Sequence, residues 1–124
     1  MYKQKKRLIY VEDNDSISML VKYKLSKEGF EVEALSDGEH AFEIIQDQLP
    51  DIVILDLMLP IKDGLTILKE IKGNPVTSHI PVIMLTTHAE EDIILKCFEA
   101  GASDYITKPF STPVLLARIN KILN

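Results

Sequence analysis

Two runs of four apolar residues constrain this chain more than any other feature: Ile52-Val53-Ile54-Leu55 and Val82-Ile83-Met84-Leu85. Each reads as a buried strand, and a run without alternation fits a central parallel strand covered on both faces. Each ends on a single polar residue, Asp56 in one case and Thr86 in the other. Leu8-Ile9-Tyr10-Val11 is a third such run, ending on Glu12-Asp13.

Between these runs the apolar spacing turns helical. Ile17, Leu20, Val21 and Leu25 predict a helix over about 15–28, stopped by Gly29. Phe30, Val32 and Ala34 alternate imperfectly with their neighbours, as an edge strand would. Ala41, Ile44, Ile45 and Leu49 predict a second helix closed by Pro50, and Leu65, Leu68 and Ile71 a third, stopped at Gly73-Asn74-Pro75. Ile94 and Phe98, with Cys97, mark a fourth, and Thr87-His88-Ala89-Glu90 reads as its capping box. Tyr105-Ile106-Thr107 is a weaker strand. Leu115, Leu116, Ile119, Ile122 and Leu123 predict a last helix, with Ser111 as N-cap and Pro113 in the first turn.

Strand then helix, five times over, implies an α/β fold: a parallel sheet with helices on both faces. The chain has 124 residues, enough for one domain with its own core. We therefore expect a single domain over residues 1–124, with a basic tail at 1–6. The basic cluster Lys3, Lys5, Lys6 and Arg7 reads as a solvated tail, and the apolar run after it is too short for a secretory signal. No segment approaches the ~20 apolar residues of a membrane span. The net charge of −5 argues against duplex-DNA binding, which needs a basic face. One cysteine excludes an internal disulfide and a Cys-based zinc site, and fits a cytoplasmic location.

Open parallel sheets bind ligands beyond the carboxyl ends of their strands. The residues there are Glu12-Asp13, Asp56, Thr86 and Lys108-Pro109. Two carboxylates ~4 Å apart repel by ~4 kcal/mol at an effective dielectric of ~20, so three must lose a charge or recruit a cation. Oxygen ligands without His or Cys select Mg²⁺ or a similar ion such as Mn²⁺. With an ammonium and a hydroxyl beside them, such carboxylates can stabilise a phosphoryl group, one carboxylate acting as nucleophile. Taken singly, each residue has a plainer reading. Asp56 could cap a loop, Glu12 and Asp13 could be solvated strand-end acids, Thr86 could be a strand residue, and Lys108 could be a surface lysine.

In this order along the chain, five motifs resemble the receiver domain of bacterial two-component response regulators. They are Val11-Glu12-Asp13, Asp56-Leu57-Met58-Leu59-Pro60-Ile61-Lys62-Asp63-Gly64, Met84-Leu85-Thr86, Gly101-Ala102-Ser103-Asp104-Tyr105 and Thr107-Lys108-Pro109-Phe110. The resemblance implies a flavodoxin-like, CheY-like (βα)5 sandwich with strand order 2-1-3-4-5. It implies that Asp56 accepts a phosphoryl group from a histidine kinase's phospho-His or a small phosphodonor, with Mg²⁺. Asp13 and Asp56 would be metal ligands, Glu12 would act through water, and the Met58 carbonyl would complete the set. Lys108 would pair with the phosphoryl group and Thr86 would turn its hydroxyl toward it. Tyr105 matches an aromatic switch position, although an aromatic at a sheet edge is also ordinary packing. The Lys108-Pro109 bond is expected to be cis.

The resemblance further implies partners. A sensor histidine kinase or phosphotransfer protein would supply phosphate. A downstream effector would read the surface of the fourth helix, fifth strand and last helix, with room for a homodimer on phosphorylation. No direct contact with nucleic acid or membrane is expected. Catalysis would be limited to the domain's own phosphorylation and dephosphorylation. Thr87 departs from the family pattern, where a small residue usually follows the switch threonine, and a slower phosphoryl turnover is expected from it. The chain ends where the last receiver helix should end, as a stand-alone receiver or a piece of a longer regulator would. Three rivals remain at this stage: a phosphorylation-independent docking receiver, a flavin-binding relative of the same topology, and a metal-dependent hydrolase. The acidic Glu12-Asp13 pair disfavours a flavin phosphate, and Met58 stands where the commonest aspartyl-phosphatase pattern has a second Asp.

Overall fold

Why the short apolar runs form strands is plain from their neighbours: each is paired on both sides or at an edge by another. The structure, a computed structural model, describes residues 5–124. It contains β1 (Arg7–Val11), α1 (Asp15–Lys27), β2 (Glu31–Leu35), α2 (Ala41–Gln48), β3 (Ile52–Leu55), α3 (Gly64–Lys72), β4 (Val82–Thr86), α4 (Glu91–Glu99), β5 (Asp104–Thr107) and α5 (Thr112–Leu123). All pairings are parallel and the strand order is β2-β1-β3-β4-β5. This is the strand order that the sequence resemblance implies.

Alternation along each strand divides the core in two. Ile9, Val11, Val53, Leu55, Val82 and Met84 pack with Ala41 and Ile45 of α2, Ile67, Leu68 and Ile71 of α3, and Cys97 of α4. Leu8, Tyr10, Ile52, Ile54, Ile83 and Leu85 pack with Val21 and Leu25 of α1 and Leu115 and Ile119 of α5. The three central strands are therefore apolar over 8–11, 52–55 and 82–85, because each successive side chain there enters one core or the other.

Local chemistry sets the helix ends. Asn14 caps α1 by accepting the Ile17 N–H, Asp63 caps α3 through Thr66, and Ser111 caps α5 through Val114. Gly29 follows α1 at φ 94°, a conformation that favours glycine. The capping box over Thr87–Glu90 does not form. α4 begins later, with Glu90 as its N-cap and no side-chain cap bond, and the His88 N–H ahead of it donates to the Thr86 hydroxyl. Glu91 and Asp92 do occupy the first turn of α4.

Three further expectations shift. Leu20 and Phe98 are exposed, while Ile93 packs on the core. Arg7 belongs to the sheet and not to a basic tail: its N–H donates to Asp51 at 2.7 Å, and its guanidinium donates to the Gln48 carbonyl at 2.7 Å. Lys5 and Lys6 are exposed, and Lys3 lies outside the described residues.

Candidate functional site

Continuation of the backbone ladder past the strands carries the polar residues to one rim. Glu12 N–H donates to Leu35 O at 2.9 Å, Asp56 N–H to Val11 O at 3.0 Å, and Lys108 N–H to Thr86 O at 2.7 Å. With the β3–β4 pairing that sets Leu55 beside Met84, the ends of β1, β3, β4 and β5 lie side by side. Gly64 closes in behind them. Its N–H donates to Leu57 O at 2.8 Å, and the chain passes so near β3 that only glycine fits there.

The rim gathers Glu12, Asp13 and Asp56, with one carboxylate oxygen of each within 4.8 Å of the others. Glu12 and Asp56 are buried, while Asp13 faces solvent. The Lys108 ammonium donates to Oδ2 of Asp56 at 3.0 Å and to Oε1 of Glu12. Burial alone would lower the Lys108 pKa. The hydrogen bonds to Glu12 and Asp56 and the charges of both carboxylates outweigh it, so the net shift is upward. Asp56 Oδ1 accepts the Met58 N–H at 3.3 Å, whereas the Met58 side chain is exposed.

Glu12 is held from further directions. Tyr10 Oη donates to its Oε1 at 2.9 Å and the Asn14 N–H to its Oε2 at 3.1 Å. Burial, and then the charge and hydrogen bond of Glu12, push the Tyr10 phenol above its usual range. Sequence reasoning treats Tyr10 only as part of a buried strand. The i, i+2 spacing to Glu12 was the available signal, since it puts both side chains on one face.

Thr86 is fully buried and its Oγ1 accepts the His88 N–H at 3.4 Å. Among the described residues, no hydrogen bond joins its hydroxyl to Asp56 or Lys108. Tyr105 is half-buried, and its hydroxyl donates to the His88 carbonyl at 2.7 Å, so both residues grip the same loop. Burial, with the nearby Cys97, Glu90 and Asp56, pushes the Tyr105 phenol up to about 12. The Lys108-Pro109 peptide is cis. Thr87 is exposed.

The donor set fits a hard divalent cation: clustered carboxylate oxygens, no thiolate and no imidazole. The opposed ammonium balances part of the charge of the buried acids.

Comparison with known proteins agrees with this geometry. The response regulator receiver domain family matches residues 8–120. The chain is 41% identical over 117 residues to the phosphate regulon transcriptional regulatory protein PhoB of Rhizobium meliloti, covering 94% of this chain and 52% of that protein. It thus spans about half the length of the curated relatives it matches. The BeF3-activated N-terminal receiver domain of Klebsiella pneumoniae RstA superposes with a TM-score of 0.89 at 34% identity, covering 96% of this chain and 99% of that one. The receiver domain of sensor histidine kinase PA1611 from Pseudomonas aeruginosa, with a magnesium ion coordinated in its active site cleft, gives 0.88 at 28% identity, covering 96% and 98%. Residues 8–120 and the rim they build place this chain in the response regulator receiver domain family.

Proposed function

We propose that residues 1–124 form one receiver domain that takes a phosphoryl group on Asp56 and passes the signal on by changing shape. One observation carries this reading. Glu12, Asp13 and Asp56 converge within 4.8 Å, and a single ammonium, Lys108, touches both buried members.

Receiver domains of response regulators work with histidine kinases and downstream effector domains. Here the donor would be a phospho-His of a sensor kinase or phosphotransfer protein, or a small acyl phosphate. An Asp56 carboxylate oxygen attacks phosphorus. The P–N bond of phospho-His breaks, its electron pair returns to the imidazole, and that nitrogen takes a proton from solvent. Asp13 and Asp56, with Glu12 through water and the Met58 carbonyl, would hold Mg²⁺ or Mn²⁺. When bound, the ion offsets negative charge on the phosphoryl oxygens. Lys108 is already at Asp56 and would pair with the phosphoryl group.

Phosphorylation adds charge and acceptor oxygens at Asp56. The Thr86 hydroxyl accepts the His88 N–H, which leaves its own O–H free to donate to a phosphoryl oxygen, so a move of Thr86 toward Asp56 would draw the His88 loop with it. Movement of that loop would also disturb the Tyr105–His88 contact, which suits Tyr105 as the switch residue. The change would reach the α4-β5-α5 surface, where an effector or a second copy of the domain would bind. Two or three charge-assisted hydrogen bonds at ~1.5–3 kcal/mol each reach the ~5.5 kcal/mol that a near-complete shift requires. No helix among the described residues is long and apolar enough to cross a membrane.

The test is incubation with acetyl phosphate and Mg²⁺, comparing wild type with Asp56→Asn by intact mass. A phosphoryl adduct on wild type alone is expected. An adduct of equal strength in both proteins would refute Asp56 as acceptor.

A further inference from the structure

We propose that the Tyr10 hydroxyl is a positioning group: it holds Glu12 in place when Lys108 leaves that carboxylate for a phosphoryl group on Asp56. The inference rests on the phosphoacceptor reading above and adds a residue to it. Tyr10 lies in the middle of β1, fully buried, among Leu8, Ile52, Ile54 and Leu85. A phenylalanine would fill the same apolar volume. The hydroxyl is explained by its partner, Glu12 Oε1 at 2.9 Å, and a carboxylate can only accept from it.

Counting donors on Glu12 shows what the hydroxyl does. Oε1 accepts from both Tyr10 and Lys108, and Oε2 accepts the Asn14 N–H. If Lys108 turns to a phosphoryl oxygen, each carboxylate oxygen still keeps one donor. Without the Tyr10 hydroxyl, no donor from the protein would remain on Oε1, in a residue only 1% exposed. An ionised buried carboxylate without a donor is costly, so Glu12 would retain the ammonium and phosphoryl engagement would weaken. Tyr10 thus lowers the cost of moving Lys108 from its resting partner to its working one. It acts through Glu12 and touches neither the ion nor the phosphoryl group.

This account predicts a split that general loosening of the site would not give. In Tyr10→Phe, Glu12 carries more unshared negative charge, so affinity for Mg²⁺ alone, measured by calorimetric titration, stays equal or rises. Affinity for beryllofluoride at saturating Mg²⁺, followed by amide chemical shifts, falls by about five- to tenfold, the scale of part of one charge-assisted hydrogen bond. A Glu12→Gln background should remove the effect, because the anionic hold on Lys108 is gone, so the double variant should match Glu12→Gln within about twofold. Equal weakening of both ligands, no change in either, or an undiminished effect in the Glu12→Gln background would each overturn the role of Tyr10. A wild-type protein that takes no beryllofluoride would instead overturn the phosphoacceptor reading itself.

Discussion

Gly64 lies directly over the main chain of Asp56: a Cβ built on it would stand 2.1 Å from the Asp56 carbonyl oxygen. The obstacle is backbone, which cannot swing aside as a flexible side chain would. Gly64→Ala must therefore push α3 away from the end of β3 or displace Asp56. We expect a loss of about 2–3 kcal/mol in stability, the scale of overpacking at a close contact. Urea unfolding measures it. An unchanged midpoint would show that the loop after β3 yields freely.

Asp13 is the exposed member of the acidic cluster and is a proposed metal ligand. Asp13→Asn removes one of three neighbouring anions. Without divalent ions the variant should be equal to wild type or more stable by about 0.5 kcal/mol. Wild type should gain ~2.7 kcal/mol when Mg²⁺ reaches a hundred times its dissociation constant. The variant should gain far less at the same concentration. Thermal melts with and without Mg²⁺ or chelator make the comparison, and equal gains in both would argue against Asp13 as a ligand.

Tyr105 offers a pH signature. Its phenol is raised from 10.0 to about 12 in the folded protein, chiefly by burial. A group raised on folding contributes fully below its unfolded value and loses that contribution as pH climbs to its folded value. The window here is therefore pH 10 to about 12. Tyr105→Phe lacks both the ionisation and the bond to the His88 carbonyl. It should be less stable than wild type by about 1 kcal/mol at pH 8, with the gap narrowing above pH 10. Denaturation of both proteins across that range gives the difference, and a gap that widens with pH would contradict the assignment.

Thr87 directly follows the buried Thr86 and is exposed on the loop that Thr86 and Tyr105 both grip. A bulky residue there would narrow the approach of water to a phosphoryl group on the proposed acceptor, Asp56. Thr87→Ala should dephosphorylate faster, by about threefold, a change of roughly 0.65 kcal/mol in barrier. Decay of the phosphorylated species after donor removal reports it. Equal or slower decay in the variant counts against the idea.

Much of this architecture was legible because it rests on local periodicity. Ile52–Leu55 and Val82–Leu85 had to be strands covered on both faces, and the polar residues that end them had to sit at one edge of a parallel sheet. Helix phase was harder to read. Phe98 and Ile93 both lie on α4, yet Ile93 packs on the core and Phe98 does not. The rotation of a half-buried helix depends on what it packs against, which its own spacing does not state.

By itself, then, the sequence determined the order of elements and the identity of the residues ending each strand, since both follow from apolar runs and their breaks. Only the tertiary structure decided who touches whom. Lys108 meets Glu12 across 96 positions of chain, and Asp56 across 52, because strand order sets β1 and β3 side by side and brings the loop after β5 over them. The capping box at Thr87–Glu90 does not form although its residues are in place: α4 starts at Glu91, with Glu90 as its N-cap. Electrostatics between residues distant in the chain are settled by folded geometry, and no local pattern encodes them.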